Sequence, residues 1–303
     1  MLKVFQAGTS LGSSNPGTEM APLALLEGGL LKALAYNEID VEVLQPVEHP
    51  PASDKLTMGL RNLEELVTYC GDLFGQITSN AQKDDKVLTI GGDHGIGMAT
   101  MLASKRLWPK AHIVYIDAHP DCINDPADTP SGNVHGFPLS TALGDGLHVH
   151  FGHEHFGYDD VTLIGVKDID KAEYEYLHKH GICYYTMDDI IERGIGDIMA
   201  TVRKRIADRP LHVALDIDSI DVSEAPGTGI INKGGLSYRE ISYITRQLAE
   251  ENVRSIDLVE INPNRDERAK TVDLGVELGV TLLGGDWTPY TRYLVQNRTS
   301  REA

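Results

Sequence analysis

Val114-Tyr-Ile-Asp-Ala-His-Pro-Asp121 decides how this chain is read. An apolar, strand-like run stops, and Asp117, His119 and Asp121 follow at intervals of two. If the backbone stays extended, alternation sends all three side chains to one side. A parallel strand with this ending delivers it to the carboxyl edge of the sheet, where open α/β sheets hold their sites. The bland alternative is a polar loop in which Asp and His act as caps and turn residues.

Two other apolar runs end in the same style. Residues 87–90 lead into Gly91-Gly-Asp-His94, and residues 212–215 lead into Asp216, Asp218 and, further on, Asp221. Strand patterns also occur at 2–6, 40–44, 161–165, 182–185 and 255–260. Helical spacing predicts helices from Gly17-Thr-Glu-Met-Ala-Pro22 through Leu31 and Leu34, and over 60–77, 96–107, 134–143 and 171–180. Further helices are expected over 187–205, interrupted near Gly194 and Gly196, and over 238–250 and 269–283. Residues 7–16, 46–53 and 124–133 carry the breaker composition of loops. This alternation predicts an α/β fold: a largely parallel sheet with helices on both faces, three layers in all. No internal repeat, composition shift or long linker marks a boundary, so residues 1–303 are read as a single domain. The tail after Gly285 is polar and carries no readable pattern.

With 303 residues, 41% of them hydrophobic, the chain can bury a sizeable core. Its formal net charge of −18 argues against non-specific binding to nucleic acid or to anionic membranes, since both are polyanions. Cys70, Cys122 and Cys183 are scattered and odd in number, which points to a reducing, cytoplasmic setting rather than a disulfide framework. Cys122 follows the cluster directly and is read as a small buried hydrophobe. The N-terminus carries no secretory pattern, and no apolar stretch is long enough to span a bilayer.

If the three runs lie in one parallel sheet, two imidazoles and at least four carboxylates meet at one edge. Carboxylates packed that closely repel and raise one another's pKa. Divalent cations remove the conflict, and the number of donors exceeds what one closed site needs. Two metals sharing carboxylates fit the count better, and such a pair, about 3.5–4 Å apart, can lower the pKa of a shared water. Carboxylate and imidazole without thiolate suit manganese, and also iron, cobalt, nickel or zinc. The chemistry implied is hydrolysis.

Gly91-Gly-Asp-His94, Asp117-Ala-His-Pro-Asp121 and Asp216-Ile-Asp-Ser-Ile-Asp221 resemble the three metal motifs of the ureohydrolase family, arginase, agmatinase and their relatives, and most closely those of arginase. Gly17-Thr-Glu-Met-Ala-Pro22, Ser131-Gly-Asn-Val-His-Gly136, Gly165-Val-Lys-Asp-Ile-Asp170, Ala225-Pro-Gly-Thr-Gly229 and Glu260-Ile-Asn-Pro263 extend the resemblance in the family's order. It implies an arginase-like fold and hydrolysis of L-arginine to L-ornithine and urea by a hydroxide bridging two Mn2+ ions, with Co2+, Ni2+ or Fe2+ as alternatives. His94, Asp117, Asp121 and Asp216 would hold the first ion. Asp117, His119, Asp216 and Asp218 would hold the second, with Asp117 and Asp216 bridging. The resemblance makes Asp121 also the acceptor that orients the hydroxide, His135 the proton shuttle and Glu260 the partner of the guanidinium. Thr228 would help hold that end, while Asn124, Ser131, Asn133, Asp170 and Glu173 would read the α-carboxylate and α-amino groups. It further suggests a homo-oligomer, trimer or hexamer.

Each of these residues also has a structural reading. His94 and His119 could be satisfied strand-end residues, His135 a capping or solvent-facing histidine, and Glu260 a helix-dipole partner. Asp170 and Glu173 could simply open a helix, where acids are favoured. Asp93 is read as a loop-fixing residue rather than a ligand, and His148, His150, His153 and His155 as a surface loop. The chain departs from the arginase pattern in three places. The loop from Asp121 to Ser131 is one residue longer, which displaces Asn124; Gly95 follows His94; and Asp121 is followed by Cys-Ile. None removes a metal ligand, and two fall on the specificity loop. The altered loop motivates a second reading, a relative acting on agmatine, guanidinobutyrate or formiminoglutamate. A third is a non-catalytic binding protein on the same fold.

Overall fold

The computed structural model describes residues 1–53 and 55–286. In chain order its elements are β1 (Leu2–Ala7), α1 (Ala21–Glu27), α2 (Leu30–Tyr36), β2 (Val41–Val43), β3 (Leu56–Thr57), β4 (Leu60–Arg61), α3 (Leu63–Asn80), β5 (Lys86–Gly91), α4 (Gly97–Leu107) and β6 (His112–Ile116). There follow α5 (Pro138–Leu143), β7 (Val161–Val166), α6 (Lys171–His180), β8 (Cys183–Thr186), α7 (Met187–Arg193), α8 (Ile195–Ile206), β9 (Leu211–Asp216), α9 (Tyr238–Ala249), β10 (Val253–Val259) and α10 (Lys270–Leu282).

Eight strands form one sheet in the order β2-β1-β5-β10-β9-β6-β7-β8, and every neighbouring pair is parallel. Helices cover both faces, as the alternation of strand and helix patterns requires. Within β6, Ile113 and Tyr115 join the core cluster under α3–α6, while Val114 and Ile116 join the one under α1, α2 and α7–α10. Both faces are apolar, so the strands read as continuous hydrophobic runs rather than alternating ones.

The order places β10 and β9 between β5 and β6. The chain passes from β5 through α4 to β6, leaving a gap that later strands fill. This is a topological switch point, and it sets the carboxyl ends of β5, β10, β9 and β6 side by side.

Several expected elements are corrected. The first helix breaks at Gly28-Gly29, where Gly29 adopts φ 98°, a left-handed conformation that favours glycine. Residues 56–61 form the antiparallel β3–β4 hairpin, so α3 begins only at Leu63. Residues 134–137 turn before α5, which starts on Pro138 at its first position, where a missing N–H costs no helical bond. The expected interruption of 187–205 is a clean break at Gly194, φ 78°. Beyond Asp286 the polar tail lies outside the described residues.

Close approach explains one glycine. A Cβ on Gly92 would sit 1.9 Å from the Thr9 carbonyl oxygen, a backbone atom that cannot move aside cheaply. Gly75, inside α3, meets nothing within 4 Å. Gly92→Ala is expected to destabilise by about 3 kcal/mol, and Gly75→Ala to stabilise by about 0.5–1 kcal/mol. Chemical denaturation of both variants measures the contrast.

Candidate metal centre

β5, β6, β9 and β10 each run out of strand at the same edge and turn at once. Asp93 caps the short turn 94–96: its carboxylate accepts Gly95 N–H at 2.9 Å and, on its other oxygen, Gly12 N–H at 2.9 Å. Asp93 therefore fixes a loop, and the residue it aims is His94. Asp216 likewise accepts Asp218 N–H at 2.7 Å, and Asp117 accepts His119 N–H at 2.7 Å. These local turns present one acid or imidazole per step to the sheet edge.

The side chains converge in two groups. His94 Nδ1 lies 2.9 Å from Asp117 Oδ2, 3.2 Å from Asp121 Oδ2 and 3.2 Å from Asp216 Oδ2. His119 Nδ1 lies 3.4 Å from Asp117 Oδ1 and 3.2 Å from Asp218 Oδ2. Asp117 thus turns one oxygen to each imidazole. His94, Asp117 and Asp216 could hold one metal ion, and Asp117, His119 and Asp218 another, sharing Asp117. Asp121 reaches the first group by a turn rather than by strand alternation: β6 ends at Ile116, and Asp121 has φ 50°. Asp221 is placed apart from both groups. It accepts Ser223 and Gly234 N–H and braces its own loop.

The electrostatics follow from this crowding. Burial, then the charges of Asp121 and Asp218, push the Asp117 carboxyl up to about 6. Burial together with Asp218 and Asp117 holds Asp216 well above the ordinary carboxylate range. Asp218 Oδ1 and His94 Nε2 are buried without hydrogen-bond partners, and Asp117 Oδ2 meets only the His94 nitrogen that two other acids also approach. One imidazole nitrogen cannot serve three carboxylates by hydrogen bonding. A shared divalent cation can, and it would reverse the pKa trend.

Beside this centre stands Glu260, at the end of β10 with φ 62°. Its Oε1 accepts His94 N–H at 2.9 Å and lies 3.0 Å from His135 Nδ1, while its buried Oε2 has no partner. Thr228, bridged to Ile261, keeps a buried Oγ1 without a partner. Burial alone would lower the His135 pKa, but the hydrogen bond and charge of Glu260, with Asp121 and Asp93, raise it to about 9.

The residues expected at the amino-acid end are placed less uniformly. Asn133 Nδ2 lies 3.4 Å from both Ser14 Oγ and His135 Nε2. Ser131 is exposed, with its Oγ accepting Asn133 N–H. Asn124 and Asp170 are exposed. Glu173 is buried and spends its two oxygens on Cys122 N–H and Asp170 N–H, so here it ties α6 to the Asp121 loop. Cys122 is fully buried in the core. His148, His150, His153 and His155 are exposed and belong to none of the groups that could hold a metal among the described residues. Sequence reading passed over Tyr115, which is fully buried against His94 and Asp121. In sequence it is one more aromatic in a strand, with nothing to separate it from core filler.

The arginase family model matches residues 2–284. The chain belongs to the arginase family. It is 30% identical over 293 residues to an arginase of Staphylococcus aureus, covering 93% of this chain and 97% of that one. It is 40% identical over 223 residues to the arginase of Plasmodium falciparum, covering 70% of this chain and 54% of the other, about half its length. Among solved structures, the arginase of Bacillus caldovelox superposes with a TM-score of 0.89 at 30% identity, covering 95% of this chain and 99% of that one. As an arginase-family ureohydrolase the chain is a binuclear metal hydrolase acting on a guanidino substrate. Two acid–imidazole groups sharing Asp117, with buried donors left over, fit two ions.

In chelated protein, a 15N-imidazole NMR titration is expected to give His135 a midpoint near 9, and Glu260→Gln to bring it to the ordinary 6.5 or below. A raised histidine stabilises the fold in its charged form. The His135–Glu260 contribution is therefore complete below about 6.5 and lost as pH rises through about 9.

Proposed function

We propose that this enzyme hydrolyses L-arginine to L-ornithine and urea with two manganese ions. The observation that carries the reading is the buried, unpartnered Oε2 of Glu260 beside the paired metal groups. A guanidinium is a planar cation whose N–H donors suit a carboxylate, and the free Oγ1 of Thr228 offers a further acceptor. Manganese is favoured by a donor set of carboxylates and imidazoles without thiolate.

His94, Asp117, Asp121 and Asp216 hold the first ion in this reading, and Asp117, His119, Asp216 and Asp218 the second. When bound, the two ions supply Lewis acidity and make water a nucleophile at neutral pH. Asp121 accepts a hydrogen bond from the attacking water and orients it toward the guanidinium carbon. Glu260 fixes the plane of that group, and its charge favours the cationic substrate. His135, whose Nδ1 lies 3.0 Å from Glu260 Oε1, gives its proton to the leaving amine. Ser131, Asn133 and Asp170 face the amino-acid end of the substrate with Asn124 on the same loop, and Glu173, its two oxygens taken by Cys122 and Asp170 N–H, acts by fixing that loop. The working enzyme is a cytoplasmic homo-oligomer, trimer or hexamer. Among the described residues, no helix is long and apolar enough to cross a membrane.

A second reading, another guanidino substrate such as agmatine or guanidinobutyrate, is favoured by the exposure of Asn124 and Asp170. Urea release by manganese-reloaded protein, measured with arginine, agmatine and guanidinobutyrate and repeated after chelation, separates them. The expected result is urea from arginine alone, lost on chelation. Urea only from a substrate without an α-carboxylate overturns the arginine assignment. Asp117→Asn is expected to lose both equivalents of metal by elemental analysis. His135→Asn should keep them and lose about 10²–10⁴-fold in kcat, the range of a general acid.

A further inference from the structure

Tyr115 sits in β6, one strand from the small side chain of Ala214 in β9 and in register with it. It is fully buried, and its ring stacks on the His94 imidazole with centroids 4.7 Å apart and planes 6° from parallel. Its hydroxyl donates to Asp121 Oδ2 at 3.0 Å and lies 3.2 Å from His94 Nδ1. Apart from His94, no other side chain among the described residues bonds the Asp121 carboxylate. Asp121 needs restraint more than its neighbours do. It occupies a left-handed backbone conformation, φ 50°, which costs a non-glycine residue energy that the surrounding structure must offset.

We propose that Tyr115 is a positioning residue for the first metal ion: its phenol holds the Asp121 carboxylate and its ring fixes the plane of His94. The inference rests on the ligand assignment above. Both groups belong to one side chain anchored in a central strand, so Asp121 and His94 are aimed together, before the ion arrives. The O–H···O bond to a carboxylate is charge-assisted and leaves Asp121 Oδ1 free of it. Groups that orient metal ligands in this way typically govern affinity about 10–100-fold. A tyrosine that merely fills the core would be replaced by phenylalanine without loss, since the ring and its packing are unchanged.

The test is a manganese titration of the chelated full chain, with free Mn2+ read by electron paramagnetic resonance. Wild-type protein is expected to bind two equivalents; if it binds none, the ligand assignment fails and the inference with it. His119→Asn is expected to keep only the first site. Adding Tyr115→Phe to that variant is expected to weaken the remaining site by about tenfold or more, with the thermal midpoint of the chelated protein little changed. Affinity within threefold of the His119→Asn parent overturns the inference and leaves the assignment standing. Because Tyr115 acts through Asp121, Tyr115→Phe is expected to change metal affinity less than threefold once Asp121→Asn is present. An undiminished effect there means that the hydroxyl does not act through that carboxylate. Should the double variant fail to fold, a crystal structure of the manganese-loaded wild type decides the matter: Tyr115 Oη within hydrogen-bond distance of Asp121 upholds the inference, and a separation beyond about 3.5 Å overturns it.

Discussion

Asp117, Asp121, Asp216 and Asp218 are all buried at one end of one sheet, and their mutual repulsion is the constraint on which the site depends. Carboxylates in a low-dielectric interior must be neutralised, by protons, by hydrogen bonds or by a cation. The folded chain uses part of each. His94 and His119 stand among the acids, backbone N–H groups serve one oxygen each of Asp117 and Asp216, and the pKa values of these two acids rise. None of these devices supplies enough positive charge. A pair of divalent ions does, and the sharing of Asp117 between both groups is the geometry that a pair requires.

The sheet order makes the concentration possible. A single strand could not place a shell around an ion. Three strands, β5, β9 and β6, bring the candidate ligands, β10 brings Glu260 between them, and their backbones are locked by parallel ladders. The cost appears as backbone strain at the two residues that must turn most sharply, Asp121 at φ 50° and Glu260 at φ 62°. Each is held there by a backbone hydrogen bond. Leu139 N–H binds the Asp121 carbonyl at 3.0 Å, and Glu260 N–H binds the Gly92 carbonyl at 2.8 Å. The close packing of Gly92 on Thr9 belongs to the same device, because the loop that carries His94 also carries the acceptor for Glu260.

How much of this is legible in the sequence depends on range. Apolar runs ending in acids revealed the strands and the edge they share, because a buried parallel strand and its polar terminus are neighbours in sequence. The helix α6 matches its expected span, since Asp170 and Glu173 mark its start and Gly181 its end. What could not be read depends on distant partners. The β3–β4 hairpin is too short for periodicity, and it earns its place by packing: Arg61 N–H binds the Gly132 carbonyl at 2.9 Å. The turn at Asp121, the stacking of Tyr115 on His94 and the closure of Glu173 onto Cys122 N–H join segments with no local signal of each other.

The site also separates chemistry from specificity in a way that its hydrogen bonds explain. On the metal side, every candidate ligand follows a sheet strand within a few residues. On the substrate side, residues 124–131 form a largely exposed loop whose two ends are pinned. Ile123 N–H binds the Gly136 carbonyl, Cys122 N–H binds Glu173, and the Val134 and His135 N–H groups both bind the Gly12 carbonyl. An extra residue between Asp121 and Ser131 is therefore absorbed in the exposed span, where added loop length costs little. Asn124 lies exposed in that span, whereas Asp121 and Glu260 are buried. Under the proposed reading, changes on that loop leave the carboxylates undisturbed, because its two ends are pinned to buried structure.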